Sequence, residues 1–444
     1  MSSKPKSPED VLRTIKDHKI QMIDLRFTDL AGLWKNFSVP SSAFNFESFE
    51  GRVRCDAFSI HQAGDTQEDP VLMIPDPASA FIDPFTKTPT LALICNIRDS
   101  ATGLNIPCDP RYIAQKAEAY LQKTQMGDTA NFGLRFVRLI NGAQDDQSIK
   151  QGRSEVQMAE ANSCVVERAG SGQSDIRQQS GDYFVLTPMD SLQDAQLQDV
   201  TTLQKIGVEV EARRQESETG RQSEIDMRFL TLTRMADNLM ISRYVGEKVA
   251  RQLGVTSAFM PKPLFDNRDL SMHVYQSIWQ GDQPLFAGDG YAGLSALMRH
   301  YIAGLLLHAP ALLAICESAP NSYHHLAPRF DAPISRDYSQ RSRPGVFRVP
   351  YPLDSRGMRI EFRCPDPLCN PYITFAAILM AGIDGFQKRL YNLDPSEPIE
   401  KFYYRPPQAE IPSAPDRPEA DYAFLSKGDV FTPDVINSLF YNAH

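Results

Sequence analysis

The chain has 444 residues, 42% of them hydrophobic and 23% charged, with a formal net charge of −9. That length exceeds what one typical hydrophobic core supports, so two domains are expected, one of them large. The acidic balance argues against nucleic acid or an anionic membrane surface as the main partner. No apolar run is long enough to span a bilayer; the best, 301–307, is cut off by His308 and Pro310.

The first six residues lack the apolar core of a signal peptide. Seven scattered cysteines, an odd number without metal-type spacing, read as free thiols in a reducing cytoplasm. Ser7 as cap, Pro8 at the first position and Glu9 and Asp10 in the first turn predict a helix with Val11, Leu12 and Ile15 on one face. Strands follow over 20–29 and 34–40, joined by a turn at 30–33, and a further strand over 91–97 closes a small α+β unit. A capped helix over 112–123, behind Asp109 and Pro110, opens the second unit, so the domains are 1–103 and 104–444. A strand is predicted over 131–140. From about 141 to 181 the chain turns rich in Gln, Ser, Asp and Gly and reads as a flexible insertion. Then come a helix over 191–206, a strand over 208–212, a mixed-charge stretch to Phe229, and helices over 231–253 and 292–307. A Pro-rich tail at 405–418 precedes short helices at 421–426 and after Thr432.

Within 358–367, Arg359, Glu361 and Arg363 alternate with Ile360 and Phe362, a strand pattern with a cation–anion–cation face. A solvated edge strand shows the same pattern. Here, however, Pro-containing turns lead into 373–383, a nearly uncharged segment that must form a buried helix, so the charged face is expected to line an interior cleft. Glu211, Glu216, Glu224, His273 and Glu361 form a carboxylate–imidazole set that suits Mg²⁺ or Mn²⁺ better than zinc. Taken alone, Glu216 and Glu224 are more commonly explained by a solvated face, and His273 by a hydrogen-bonded core imidazole. Arg341, Arg343, Arg348, Arg356, Arg359 and Arg363 suit bidentate recognition of phosphate or carboxylate, or else a basic surface patch.

Several segments recur together: Ile23 to Asp29, Ile82-Asp83-Pro84-Phe85, Ala258 to Pro263 with Met272-His273, Gly288 to Ser295, Asn321-Ser322-Tyr323, Arg359 to Arg363, Asn370-Pro371-Tyr372 and Met380 to Gly385. In this order they resemble the bacterial type I glutamine synthetase family over nearly the whole chain. The resemblance implies an α+β fold: an N-terminal β-grasp domain and a large catalytic domain with a curved antiparallel sheet backed by helices. It also implies a homo-oligomer, a double-ring dodecamer with active sites shared between subunits. Such enzymes use ATP and Mg²⁺ or Mn²⁺ to phosphorylate the glutamate γ-carboxylate before ammonia displaces the phosphate. Carried onto this sequence, the metal ligands are Glu216, Glu224, His273 and Glu361; the nucleotide side is Glu211, Ser277, Arg348 and Arg359. The catalytic groups are Asp56, Arg343, Arg363 and Asp331.

The family strand Gly-Pro-Glu-Pro-Glu, which gives one carboxylate to each metal position, reads Gly133-Leu134-Arg135-Phe136-Val137 here. A guanidinium close to Mg²⁺ costs on the order of kcal/mol even when well screened. The glutamate loop becomes Arg268-Asp269-Leu270-Ser271, the second histidine Tyr275, the arginine after Asn-Ser-Tyr His325, and the histidine run Arg213-Arg214-Gln215. The expectation is therefore a glutamine synthetase-like pseudoenzyme, scaffold or ligand-binding protein, with Arg135 paired to Glu216 or Glu361 in place of a metal. The alternative is an active ATP-dependent carboxylate–amine ligase for a different acid or amine.

Overall fold

The computed structural model describes residues 5–55, 70–141, 193–216, 222–259, 272–290, 293–316, 335–339, 345–350, 355–390 and 422–441. Ser7 caps the first helix, α1 (Pro8–Asp17), its hydroxyl accepting the Asp10 amide. Val11 of α1 joins the core of a six-stranded sheet beside Ile23, Leu25 and Leu91. That sheet comprises β1 (Met22–Thr28), β2 (Trp34–Pro40), β3 (Val53–Cys55), β4 (Val71–Pro75), β5 (Phe81–Ile82) and β6 (Thr90–Asp99). Their order is β2-β1-β6-β4-β3, with β5 beside β6. β1 and β6 pair in parallel and the other pairs are antiparallel, the α+β arrangement expected of a β-grasp domain.

The second unit opens with α2 (Pro110–Lys123), capped by Asp109, whose carboxylate accepts the Arg111 amide. It continues through β7 (Thr129–Asn141), α3 (Gln193–Lys205), β8 (Val210–Glu216), β9 (Gln222–Thr231), α4 (Leu232–Gln252), β10 (Thr256–Ala258), β11 (Met272–Gln280) and β12 (Gln283–Pro284). Then follow α5 (Ala296–Leu307), α6 (Ala309–Cys316), β13 (Ser335–Ser339), β14 (Gly345–Arg348), β15 (Ile360–Phe362), α7 (Pro371–Gln387) and α8 (Pro433–Tyr441). Nine strands make one sheet, ordered β13-β14-β15-β11-β7-β9-β8, with β10 beside β7 and β12 beside β11. The pairs are antiparallel except at the margin, where β13 runs parallel to β14.

One face of this sheet is apolar and meets the helices: Phe132, Leu134, Phe136, Val274 and Phe362 are buried, and Phe132 stacks on Phe375 of α7 at 5.3 Å. Each such side chain contributes roughly 1.5–3 kcal/mol of burial. α7 is buried from Pro371 through Gly385, which is why its sequence carries almost no charge. α5 crosses it at glycine: a Cβ on Gly304 would meet the Ala381 carbonyl oxygen at 2.2 Å.

Arg111 and Asn370 are among the side chains that join the units. Arg111, 2% exposed, binds both oxygens of Asp237 on α4 at 2.9 Å and reaches Asn96 and Asp76 of the first sheet, both at 2.6 Å. Asn370 caps α7 through the Tyr372 amide and donates to the Asp29 and Leu30 carbonyls, both at 3.2 Å. The β1–β2 turn fits there because Gly32 takes a φ of 85° and would, with a Cβ, meet Asn370 at 3.2 Å.

Four local expectations change. The mixed-charge stretch before Phe229 holds most of a long strand, β9, in which Glu224 and Asp226 alternate with buried Ile225 and Met227. The strand expected over 208–212 runs Val210–Glu216, and α5 begins at Ala296 rather than 292. Residues 423–426 form turns rather than a helix. The insertion at 141–181 lies outside the described residues apart from Asn141.

Candidate functional site

Strand register assembles the site on the face opposite the apolar one. Arg348 of β14 stands opposite Glu361 of β15, Glu361 opposite Tyr275 of β11, and Tyr275 opposite Gly133 of β7. One rung along, His273 stands opposite Arg135, and Arg135 opposite Asp226 of β9. Beyond them Glu224 lies between Val137 of β7 and Arg214 of β8.

Two clusters result. In the first, the fully buried carboxylate of Glu361 lies 2.8 Å from His273 Nδ1 and accepts from Arg348 at 3.3 Å and the Tyr275 hydroxyl at 3.4 Å. Arg363 Nε is 3.5 Å away. Burial alone would raise the Glu361 pKa; the His273 hydrogen bond, with the charges of His273, Arg363 and Arg348, overcomes this and holds it at about 2. Burial, and then the Glu361 charge, push the Tyr275 phenol up, so it stays a neutral donor. Arg359 donates to the Gly357 carbonyl at 3.1 Å and sets its Cζ 5.4 Å from the Tyr275 ring centroid.

In the second cluster, Arg135 grips Asp226 in bidentate fashion, at 2.7 Å from Nε and 3.0 Å from Nη2, and its Nε is 3.4 Å from Glu224. Arg214 reaches the same two acids, at 2.6 Å to Glu224 and 2.9 Å to Asp226. Burial opposes the charge on Arg135, but the Asp226 hydrogen bond and the neighbouring negative groups secure it above the ordinary arginine value. Arg135 also links the clusters, its Cζ lying 5.9 Å from the Tyr275 ring. Phe229 fills the space over Gly133, where a Cβ would come within 2.5 Å of its ring.

A divalent cation needs several carboxylate or imidazole groups turned towards one point. Among the described residues no group of three or more His, Cys, Asp or Glu side chains is arranged to hold one. Glu224 is committed to Arg214 and Arg135, and Glu361 to His273, Arg348 and Arg363. The described residues do not fit Mg²⁺ or Mn²⁺.

Of the expected site residues, the structure brings together Glu361, His273, Arg348, Arg359 and Arg363, with Glu224 in the neighbouring cluster. Ser277 is buried on the same strand and accepts the Trp279 indole N–H at 2.9 Å. Glu211 is exposed at a register shift in β8. The backbone of Glu216 pairs with Gln222, and its side chain lies outside the described residues, as do Asp56, Asp331 and Arg343. Of the two pairings expected for Arg135, Glu361 is corrected: among the described residues its carboxylates are Asp226 and Glu224, because β11 and β9, not β15, flank β7, while the Glu216 side chain lies outside the described residues. Asp226 was missed. The signal available was the alternation of Glu224, Ile225, Asp226 and Met227.

A six-stranded α+β sheet joined to a nine-stranded sheet with one charged face is the two-domain architecture expected above. The comparisons narrow it. The family description "Glutamine synthetase, beta-Grasp domain" matches residues 19–100, and "Glutamine synthetase, catalytic domain" matches residues 107–443. The chain belongs to the glutamine synthetase family. It is 41% identical to a glutamine synthetase of Frankia alni over 97% of this chain and 93% of that protein. It is 38% identical to a protein named 3-hydroxylaminophenol mutase from Cupriavidus pinatubonensis, over 97% of this chain and 94% of the relative. A Plasmodium falciparum glutamine synthetase structure superposes with a TM-score of 0.82 at 22% identity, covering 100% of this chain and 96% of that one. A ligand-free GmaS structure gives 0.71 at 21%, covering 98% and 92%. These two likenesses concern the fold.

Proposed function

We propose that this chain is a glutamine synthetase-family homo-oligomer that no longer makes glutamine, its cleft serving ligand binding or scaffolding instead of metal-dependent phosphoryl transfer. The observation that carries this reading is the bidentate hold of Arg135 on Asp226, reinforced by Arg214 across Asp226 and Glu224. Phosphoryl transfer of this kind needs divalent cations to screen phosphate charge and polarise the carboxylate. Here fixed guanidiniums neutralise Glu224, one of the acids expected to hold them, together with its neighbour Asp226. The assembly that fits the family is a double-ring dodecamer, to be checked by light scattering. The buried thiols of Cys95 and Cys369 fit a reducing, cytoplasmic setting.

A second reading keeps ligase chemistry on a different acid or amine. It is favoured by the survival of the His273–Glu361 pair beside Arg348 and Arg363. One assay separates them: ATP hydrolysis with Mg²⁺ or Mn²⁺, with and without glutamate, ammonia and a panel of amines. No turnover is expected. Metal-dependent turnover with any panel member overturns the first reading.

A further inference from the structure

Away from the cleft, the β1–β2 hairpin turns a second polar face towards α4. Thr28 stands opposite Trp34 across the strand pair, and Arg26 opposite Asn36. Arg26, Thr28 and Trp34 therefore share one face, while Ile23, Leu25 and Phe27 enter the core of the sheet on the other. The Arg26 guanidinium is ringed by aromatic side chains: its Cζ lies 4.3 Å from the Tyr244 ring centroid, 5.0 Å from that of Trp34 and 5.3 Å from that of Phe81. Arg26 and Thr28 are 5% and 3% exposed. Three atoms in this joint, Arg26 Nη1, Trp34 Nε1 and Thr28 Oγ1, are closed to solvent and have no hydrogen-bond partner among the described residues. Folded interiors leave few such atoms, and three on one face of one hairpin point to a shared partner.

Two of these atoms can only donate, and the hydroxyl can donate as well. The missing partner is therefore an acceptor. Asp83 already takes Arg26 Nη2 at 2.5 Å, the Tyr244 hydroxyl at 2.6 Å and the Phe85 amide at 3.0 Å. Asp24 takes the Ser38 hydroxyl at 2.5 Å and stands 3.4 Å from Arg26. A water molecule would bring two hydrogens of its own to carboxylates that are already engaged, whereas an anion accepts and brings none. Charge limits its size and valence. Arg26 and Lys248, whose Nζ lies 5.4 Å from the Tyr244 ring centroid, balance Asp83 and Asp24. That neighbourhood tolerates one negative charge far better than two. We infer that the joint between the β1–β2 hairpin and α4 binds one small monovalent anion, a halide or the head of a short carboxylate, on Arg26, Trp34 and Thr28.

The test uses the full-length protein. The chain has two tryptophans, so Trp279→Phe leaves Trp34 as its own reporter. Sodium chloride, sodium formate and sodium gluconate are titrated at matched ionic strength, gluconate being too bulky for a closed joint. Trp34 emission should respond saturably to chloride, to formate or to both, and not to gluconate. Chloride alone assigns the site to halides, and formate alone to carboxylates. Thr28→Val keeps the shape and removes the hydroxyl, and should weaken the apparent affinity about fivefold, the worth of one hydrogen bond. In gluconate the same variant should match or exceed the parent in urea midpoint, because an unsatisfied buried hydroxyl has gone. Crystals grown in the responding anion, with bromide standing for chloride, should carry its density beside Trp34 Nε1. Emission unchanged by both small anions, a response that gluconate shares, or an affinity that Thr28→Val leaves unchanged overturns the inference.

Discussion

The Arg135–Asp226 pair gives the sharpest test of a sealed cleft. Two unit charges about 4 Å apart attract by about 4 kcal/mol at an effective dielectric near 20. The side chains keep 25% and 15% exposure, so water screens part of that, and Asp226 retains Arg214 at 2.9 Å when Arg135 is lost. The coupling expected from a double-mutant cycle is about 2 kcal/mol, above the ~1 kcal/mol ceiling of exposed pairs and below the ~3–5 kcal/mol of breaking a wholly buried one. Urea unfolding of the wild type, Arg135→Ala, Asp226→Ala and the double variant measures it. A coupling under about 0.5 kcal/mol would refute the reasoning. The same proteins should gain no stability from Mn²⁺. A variant combining Arg135→Glu and Val137→Glu presents four carboxylates around one remaining arginine, and should gain about 2.7 kcal/mol at a hundred times its Kd. A comparable gain by the wild type would show that the cluster was never closed.

Three further outcomes follow from packing and charge. Gly133→Ala should cost about 1–3 kcal/mol in chemical unfolding because its Cβ falls 2.5 Å from the Phe229 ring, and adding Phe229→Ala should recover part of that loss. Gly304→Ala should cost about 3 kcal/mol or abolish soluble expression, since the obstacle is the Ala381 carbonyl, which cannot rotate aside. Asp384, shielded from solvent, sits 2.8 Å from His308 and 2.9 Å from Lys388, with Lys427 also in contact. Burial would raise its pKa, but these partners hold it well below the ordinary 3.8. A depressed pKa contributes stability that is complete above the unfolded value and is lost as pH falls below it. Asp384→Asn should therefore cost about 2–3 kcal/mol at neutral pH, and the difference in urea midpoint should shrink below pH 3.8.

The fold was legible because its signals are local and repeated. Ser7, Asp109 and Asn370 cap helices as their types predict, and the uncharged run after Pro371 becomes the buried helix. The alternation at 359–363 placed Glu361 on the charged face of its strand, where it lies buried against His273 and Arg348. What could not be read was which cation meets which acid. Arg135 alone announces an unmatched charge, and Glu216, Glu361 and Asp226 are all acids within plausible reach until strand order is known. β9 was itself concealed, since Glu224 and Asp226 made a half-buried strand look like a solvated polar run. A buried-face strand carries acids at alternate positions only when a neighbour neutralises them. Here that neighbour is Arg214, on a strand separated from Arg135 by β9 itself.

Under the proposed function, the same electrostatics explains how the sheet keeps Glu224 and Glu361 without a metal. Glu224 and Glu361 point into partly dry surroundings, where an uncompensated carboxylate costs several kcal/mol. Divalent ions are one remedy; guanidinium is another, permanently charged and attached to the chain, with a fork that satisfies two oxygens at once. Arg135 alone would leave the cleft face more positive. Asp226 on the adjacent strand absorbs that charge and fixes the side chain in a bidentate geometry. A cation supplied covalently cannot be diluted or chelated away, nor can it move to polarise a substrate. On the proposed function, the exchange preserves the sheet at any metal concentration while removing the mobile Lewis acid that the ligase reaction requires. Treatment with EDTA is therefore expected to leave the unfolding midpoint unchanged. A fall on chelation would mean that acids outside the described residues still hold an ion.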